Sequence, residues 1–324
     1  MNVIQILSKR KWNKEFAYDL VYEWEDVLSQ EWNLPIVDEK HFLQNRYIKL
    51  IPFVSSILQT SNKSIVFEME CIASHWFSNR KKNIIPYIID YYPQEVGMYG
   101  YKMFNMLYKV NPIVFISSAE VYEHLLSHNK KIDVNIAHVA LSLPDKYRLD
   151  ANDKFKKEYD LVLFGRQNPV LMDFLATYVE NHPDFKYVYR GKNWCYYTSD
   201  NLLVGEVNTR DKYMNLMKKA RCAFYSTPGI DGEKETFGFN QITPRFLELL
   251  SCGCHIIARY ADNPDAQYFE IGKFCKSVET YQQFEEKLDY ARCHDVNIKN
   301  YSAYLEKHYT SVRAREIKEI LKSV

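Results

Sequence analysis

Short apolar runs alternate with longer amphipathic stretches along the whole chain. Helical spacing of apolar residues marks residues 171–181, 211–220, 244–251 and 280–291. Strands separated by helices of this length predict βαβ units and parallel sheets. The apolar runs of strand length lie at residues 3–7, 64–68, 84–90, 113–117 and 136–141, and then at 160–164, 186–189, 201–204, 222–225 and 255–258.

A polar break divides the chain near its middle. Residues 144–158 are mostly polar or charged, which is typical of a linker between domains. We therefore predict one Rossmann-like α/β domain over residues 1–150 and a second over residues 151–300. A C-terminal helix over residues 301–324 carries an apolar stripe, and we expect it to pack back toward the N-terminal domain.

Charge and composition exclude some classes of protein. Lys and Arg number 42 against 41 Asp and Glu, for a net charge of +1. A dedicated nucleic-acid binder shows a basic excess, so no nucleic-acid partner is expected. No apolar stretch reaches the roughly 20 residues that span a bilayer, and no signal peptide is visible. We expect a cytoplasmic protein in which the seven scattered cysteines are reduced.

The segment 237–258 carries the most chemical information. Thr243 suits a helix N-cap, Pro244 the first helical position, and Gly253 the C-terminal cap. Such a helix start presents free backbone N–H groups that attract a phosphate. Arg245 lies in the first turn, where a cation opposes the helix dipole unless an anion sits in front of it. Glu248, one turn further on, has the oxygens to accept two hydrogen bonds from a ribose diol.

These residues resemble a known family. The run Thr-Pro-Arg-Phe-Leu-Glu-Leu-Leu-Ser-Cys-Gly-Cys-His-Ile-Ile-Ala, residues 243–258, resembles the nucleotide-sugar signature of GT-B glycosyltransferases of group 1 type and their spore-maturation-protein-like relatives. Residues 164–166, Phe-Gly-Arg, are similar to the family's Gly-Arg turn. The resemblance extends over about residues 159–291. It implies two Rossmann-like parallel-sheet domains facing a cleft, the first for an acceptor and the second for a nucleotide sugar.

The resemblance also implies roles for individual residues. Arg245 would pair with the donor diphosphate and Glu248 with the ribose. One departure matters: where many retaining enzymes of the family carry the first of two glutamates, this chain has Asn240, which cannot provide charge. The donor-binding positions implied in this way are Gly165, Arg166, Asn240, Gln241, Ile242, Thr243, Arg245 and Glu248.

No metal or cofactor is expected. The chain has no Asp-x-Asp motif, which holds the divalent metal in some glycosyltransferases. We therefore expect Arg166, Arg245 and the helix starting near Thr243 to stabilise the departing diphosphate. The substrate would be a nucleotide sugar such as a UDP- or GDP-sugar, and the activity that of a hexosyltransferase.

The acceptor half offers one candidate base. Asp90 lies just past a predicted strand, where ligands bind in open α/β sheets, and could take a proton from an acceptor hydroxyl. It could equally cap a loop or the next helix. Glu68 and Glu70, at a similar strand end, are competing candidates.

Other functions remain open at this point. A sugar-nucleotide epimerase of the same fold would release nucleotide without an acceptor, and a non-catalytic relative would only bind a nucleotide sugar or glycan. For the transferase, the expected acceptor is a glycan or a lipid-linked sugar of bacterial polysaccharide assembly. Arg80, Lys81 and Lys82 form a small basic cluster that would suit peripheral contact with an anionic inner membrane.

Overall fold

The chain forms two compact units, Met1–Asp145 with Thr310–Val324, and Lys146–Tyr309. Both are seen in a computed structural model. It describes residues 3–11, 13–38, 65–71 (backbone only), 84–90, 104–105, 108–109, 111–127, 133–231, 236 and 238–324.

The first unit contains a six-stranded sheet in which every described pairing is parallel. Its strands follow the order β2-β1-β3-β4-β5-β6. A sheet of this kind needs helices on its faces, which explains the continuous apolar runs. The strands are β1 (Val3–Ser8), β2 (Ile36–Asp38), β3 (Ile65–Cys71), β4 (Ile84–Ile89), β5 (Val114–Ile116) and β6 (Ile136–His138). The helices among the described residues of this unit are α1 (Asp19–Trp32), α2 (Ala119–Ser127) and a C-terminal helix (Thr310–Ser323).

The core of this unit joins α1 to the sheet and to the end of the chain. Trp24 of α1 lies against Tyr87 of β4, with ring centroids 5.0 Å apart. Ile317 and Leu321 of the C-terminal helix belong to the same buried cluster. Trp32 Nε1 donates a hydrogen bond of 3.1 Å to the carbonyl of Ala314. The last helix is therefore an integral part of the first unit.

The second unit contains a mixed sheet in the order β10-β9-β8-β7-β11-β12. Strands β8, β7, β11 and β12 are parallel, whereas β9 and β10 pair antiparallel. The strands are β7 (Tyr159–Val162), β8 (Tyr187–Arg190), β9 (Cys195–Thr198), β10 (Leu203–Glu206), β11 (Ala220–Ser226) and β12 (His255–Arg259), and the helices are α3 (Pro169–Asn181), α4 (Arg210–Lys218), α5 (Arg245–Ser251), α6 (Pro264–Tyr268), α7 (Tyr281–Cys293) and α8 (Ile298–Leu305).

Several details differ from the sequence prediction, among them strand β2 and the antiparallel pairings of the second sheet, which were not predicted. Residues 301–324 do not form one helix, because α8 ends at Leu305 and the next helix begins at Thr310. The N–H of Thr310 donates to the carbonyl of Leu143, 2.9 Å away, which anchors the new helix in the first unit. Strand β9 is absent from the predicted set, since Cys-Tyr-Tyr-Thr follows an irregular turn and has no long apolar run.

The helix, its C-terminal cap and the following strand in residues 244–258 form largely as the sequence predicts. Gly253 has a φ of 61°, a left-handed conformation that glycine adopts readily. Its N–H donates to the carbonyl of Leu250, and the N–H of Cys254 donates to that of Leu249, both at 3.0 Å. These two bonds make the C-terminal cap that the sequence predicts. Among the described helices, none combines the length and the apolar character needed to cross a membrane.

Candidate functional site

The strongest candidate site lies at the carboxyl end of β7, where Gly165 meets Arg245. The Nη1 of Arg245 donates to the carbonyl of Phe164 at 2.8 Å. A Cβ added at Gly165 would lie 2.1 Å from Nη2 of Arg245, and Gly165 has a φ of 62°. Only glycine therefore lets the guanidinium lie against this turn. The structure brings together two residues that are 80 positions apart and that the sequence singled out separately.

Arg245 is held in place but not neutralised. In the described part of the chain, no carboxylate forms a salt bridge with it. Its guanidinium donates a hydrogen bond to the Tyr213 hydroxyl, and the nearby charge of Glu248 also favours its charged form. Its Nε is buried and has no hydrogen-bond partner among the described residues. A guanidinium cannot be deprotonated in a protein, so this half-buried group keeps its full positive charge and unused donors. Such a group suits an anionic ligand.

The helix start beside Arg245 differs in detail from the prediction. Helix α5 begins at Arg245, one residue later than expected, and Pro244 precedes it with φ −55° and ψ −21°. The N–H of Thr243 already donates to the hydroxyl of Tyr225, at 3.1 Å. At Thr243, therefore, the backbone amide is not free for a phosphate, and Arg245 becomes the main anion-attracting group.

Glu248 is buried in a salt bridge with Arg210. The Nη2 of Arg210 lies 2.6 Å from Oε1 of Glu248, and the two side chains are only 9% and 5% exposed. Oε2 of Glu248 has no partner within the described residues. One carboxylate oxygen therefore stays available for a ribose hydroxyl, while the other is held by the arginine.

Sequence reasoning missed Arg210, although a signal was present. The side chain of Thr209 caps α4 by accepting a hydrogen bond from the N–H of Lys212, 3.3 Å away. Arg210 is then the first helical residue, where a cation is unfavourable for the helix dipole. The same argument had singled out Arg245. What the sequence could not supply was the partner, which lies 38 residues further along.

Asn240 holds its own loop together. Its Oδ1 accepts a hydrogen bond of 2.9 Å from Thr227, and its Nδ2 donates to the carbonyl of Gly238 at 2.9 Å. Gln241 and Ile242, which follow it, are each 1% exposed.

A second polar network at the same edge of the sheet was not predicted. Arg259, the last residue of β12, binds Asp231 through Nε and Nη2 at 2.5 and 2.6 Å. Nδ2 of Asn168, the N-cap of α3, donates to Oδ2 of Asp231 at 2.6 Å. The hydrogen bonds from Arg259 hold the pKa of Asp231 below its ordinary value.

Arg166 is exposed on the turn that joins β7 to α3.

Of the candidate residues in the first unit, Asp90 follows the end of its strand as predicted, whereas Glu68 lies in the middle of β3, because this strand continues to Cys71. Asp90 follows β4 directly, is exposed, and has a φ of 55°. Glu68 and Glu70 lie on β3, paired in register with Pro86 and Ile88. The basic residues 80–82 fall outside the described residues. Across the described part of the chain, no group of three His, Cys, Asp or Glu side chains is placed to hold a metal ion.

A family comparison matches the second half of the chain. The family described as glycosyl transferase-like matches residues 166–319, just under half of the chain. This range contains Arg210, Arg245 and Glu248, and it confirms the resemblance seen in residues 243–258. A comparison with curated protein sequences gives no match.

Solved structures with a similar fold cover both units. HepE of Anabaena, in complex with UDP and glucose, is 10% identical with a TM-score of 0.58, and the match covers 100% of each chain. AviGT4, involved in avilamycin A biosynthesis, is 10% identical with a TM-score of 0.53, covering 98% of this chain and 96% of that one. The pneumococcal O-GlcNAc transferase GtfA, in complex with UDP and GlcNAc, is 11% identical with a TM-score of 0.54 over 86% of this chain.

The present chain spans only 59% of the length of pneumococcal GtfA. At identities near 10%, these likenesses show the fold alone. Residues 166–319 are similar to a glycosyl transferase-like family, and the chain as a whole has the GT-B fold of two Rossmann-like units.

Proposed function

We propose that this protein transfers a sugar from a nucleotide-sugar donor to a glycan or lipid-linked acceptor. The observation that carries the proposal is the Arg245 guanidinium, packed on Gly165 and bonded to a carbonyl oxygen instead of a carboxylate. An arginine in this state can bind the two phosphates of a UDP- or GDP-sugar through its planar fork.

The ribose of the donor would lie against Glu248. Because Arg210 occupies only Oε1, Oε2 can accept a hydrogen bond from a ribose hydroxyl. The ion pair fixes the carboxylate on α5, one helical turn from Arg245, so diphosphate and ribose would be bound by neighbouring turns of one helix. Gly165 and Arg166 would approach the phosphates from the β7 turn. Thr243 and the buried segment 240–242 would support the donor sugar from behind.

The proposed chemistry is a displacement at the anomeric carbon of the sugar. The acceptor hydroxyl oxygen forms a bond to this carbon while the bond to the diphosphate oxygen breaks. The electron pair leaves with the nucleoside diphosphate, and the hydroxyl proton passes to Asp90 as general base. Arg245 and Arg166 stabilise the negative charge that develops on the departing phosphate, so the proposal assigns this role to arginines and not to a metal ion.

The acceptor and the cellular setting belong to the same proposal. HepE and AviGT4 have the same fold over nearly the whole chain, and the second is described as a glycosyltransferase of avilamycin A biosynthesis. A role in bacterial polysaccharide or glycoconjugate assembly, in the cytoplasm or at the inner face of the membrane, fits this likeness. Asp90 and its neighbours in the first unit would contact the acceptor.

The test is a donor screen on the purified full chain. We expect one of a panel of UDP- and GDP-sugars to bind, and to be slowly hydrolysed in the absence of acceptor, with release of UDP or GDP. Adding a divalent-metal chelator should leave this rate unchanged. Binding without hydrolysis or transfer would instead indicate a non-catalytic relative, and release of nucleotide with an epimerised sugar would indicate an epimerase.

A further inference from the structure

The second unit contains a cavity at the amino-terminal edge of its sheet, away from the proposed donor site. The cavity has a volume of about 410 Å³, which lies within the usual range of small-molecule sites. It is lined by Arg221 near the start of β11, His255 at the start of β12, and Phe155 and Lys157 before β7. We call it the amino-edge cavity.

The amino-edge cavity and the donor-site residues lie at opposite ends of the same strands. Arg221 and Ser226 are five residues apart on β11, which corresponds to roughly 17 Å along a strand. Gly165 and Arg245 lie beyond the carboxyl end of the neighbouring strand β7. A ligand in the amino-edge cavity would therefore not touch Arg245.

Internal contacts fix the walls of this cavity. Lys157 Nζ donates to the carbonyl of Cys252 at 2.9 Å, and Nε2 of His255 donates to the carbonyl of His294 at 2.8 Å. Gly253 completes the wall, and a Cβ there would lie 2.7 Å from the ring of Phe155 and 2.9 Å from Ile298. These contacts hold the residues around the cavity in place without filling its volume.

The cationic groups in this cavity retain binding capacity. Lys154 is exposed and has no partner among the described residues. Arg221 has one contact, at 3.5 Å, with Asp295, whose side chain is 90% exposed. An exposed pair of this kind contributes little, so the Arg221 guanidinium can turn to another anion. The acidic side chains in the lining are Asp153 and Asp295.

The remaining lining is apolar or aromatic. Phe155, Val296 and Ile298 provide a surface for a ring, and Asp153 can accept hydrogen bonds from hydroxyl groups. The ring nitrogen Nε2 of His255 donates to a carbonyl, which leaves its Nδ1 as a further acceptor. Cationic and apolar groups line the cavity together, and Lys157 Nζ itself lies 5.1 Å from the centroid of the Phe155 ring. This mixture suits a molecule that has both an anionic group and a ring.

From this arrangement we propose that the amino-edge cavity binds a small phosphomonoester that carries a ring, independently of the donor site. The phosphate would contact Lys154, Lys157 and Arg221, and the ring would lie against Phe155 and Ile298. The proposal concerns a different part of the second unit from the proposed transferase site, and its test does not depend on transferase activity.

The experiment is calorimetric titration of the full chain with phenyl phosphate, which combines a ring with a dianionic phosphate. We expect saturable binding, weaker by about tenfold or more for inorganic phosphate and for benzyl alcohol, since each lacks one half of the recognition. Combining Lys154→Ala with Arg221→Ala should weaken binding at least tenfold, because two charge-assisted contacts are lost. Lys154→Glu, at an exposed position, gives a second test should the double variant fail to fold.

Two control variants locate the binding site. Lys156→Ala changes an exposed lysine of the same segment that does not line the cavity, and it should bind phenyl phosphate as the wild type does. Arg245→Ala should also keep full binding. The proposal is overturned by absence of saturable binding at millimolar concentrations, by equal binding to the charge variants, or by loss of binding in Arg245→Ala. Equal affinity for inorganic phosphate would overturn the assignment of a ring-bearing ligand.

Discussion

The two sheets each carry an arginine near a carboxyl edge, and the two arginines are in opposite electrostatic states. After β1, Arg10 binds Glu25 at 2.9 Å and Asp26 at 2.7 Å, so two carboxylates compensate its charge. After β7, Arg245 is bonded to the carbonyl of Phe164 and has no ion pair among the described residues. Contact with backbone atoms holds an arginine side chain in place but leaves its positive charge uncompensated. The second edge is therefore the one expected to attract a diphosphate.

The largest expected effect comes from breaking the buried pair that supports the second edge. Arg210→Ala leaves Glu248 buried without a partner, which should lower the free energy of unfolding by about 3–5 kcal/mol. Urea denaturation of both proteins measures this. Lys212→Ala, an exposed position on the same helix, should change the value by less than about 0.5 kcal/mol. A loss for Arg210→Ala as small as that of the control would show that the pair contributes little.

The next effect concerns the charge of Arg245 itself. Arg245→Ala should lower kcat by about 100- to 1,000-fold, as the removal of a donor that stabilises developing negative charge does. Arg245→Lys keeps the charge but not the planar fork, and it should retain part of the activity. Far-UV circular dichroism checks the fold. Arg315→Ala, an exposed arginine of the C-terminal helix, is the matched control, and turnover by Arg245→Ala equal to this control would disprove the assignment.

The first edge should show a pH dependence of stability that comes from His138. Burial lowers the pKa of His138, at the end of β6, from 6.5 to about 4, partly opposed by a backbone hydrogen bond involving Ser117. The unfolded chain then binds more protons than the folded one between these values. Stability should therefore fall as the pH drops from 6.5 to 4, by about 2–3 kcal/mol in total.

His138→Gln provides the comparison for that titration. Its free energy of unfolding should change less over the same pH range, because the side chain no longer titrates. Urea denaturation at several pH values measures the difference between the two proteins. Parallel pH profiles for wild type and variant would show that His138 is not responsible.

The smallest expected effect is a change in nucleotide affinity on removing Arg10, and it directly tests the difference between Arg10 and Arg245. Because Glu25 and Asp26 already compensate Arg10, Arg10→Ala should change the affinity for the donor nucleotide by less than about twofold. Arg245→Ala should weaken the same affinity by about tenfold or more, since a charge-assisted contact to phosphate is lost. Calorimetric titration with the nucleoside diphosphate of the active donor compares the two variants. Similar losses in both would mean that carbonyl bonding does not distinguish the two arginines.

Local sequence predicted the elements that depend on near neighbours. Gly253 ends α5 because only a left-handed residue fits the cap, and the apolar run after it forms β12. The continuous apolar runs likewise predicted buried parallel strands. Strand β9 and its antiparallel pairing with β10 were not predicted, because β9 has only four residues and its pairing depends on a partner outside the local pattern.

The candidate site was only partly accessible from sequence. Residue type, position in a predicted helix and the resemblance to the glycosyltransferase family single out Arg245, Gly165 and Glu248. Their contacts did not follow from the same reasoning. The pairing of Glu248 with Arg210 joins two helices, and the hydroxyl of Tyr225 occupies the amide of Thr243 from a strand. Each contact depends on how helices and strands pack together, and the spacing of apolar residues along the chain does not predict this packing.

The sequence by itself determined the alternation of strands and helices, the capped helix that carries Arg245, and the family of its second half. These follow from interactions within a few residues, or from a motif that is continuous in the chain. Only the tertiary structure decided which arginine keeps its charge uncompensated, which carboxylate oxygen stays available, and where the amino-edge cavity lies. Those properties depend on distances between atoms far apart in sequence, and folding alone sets these distances.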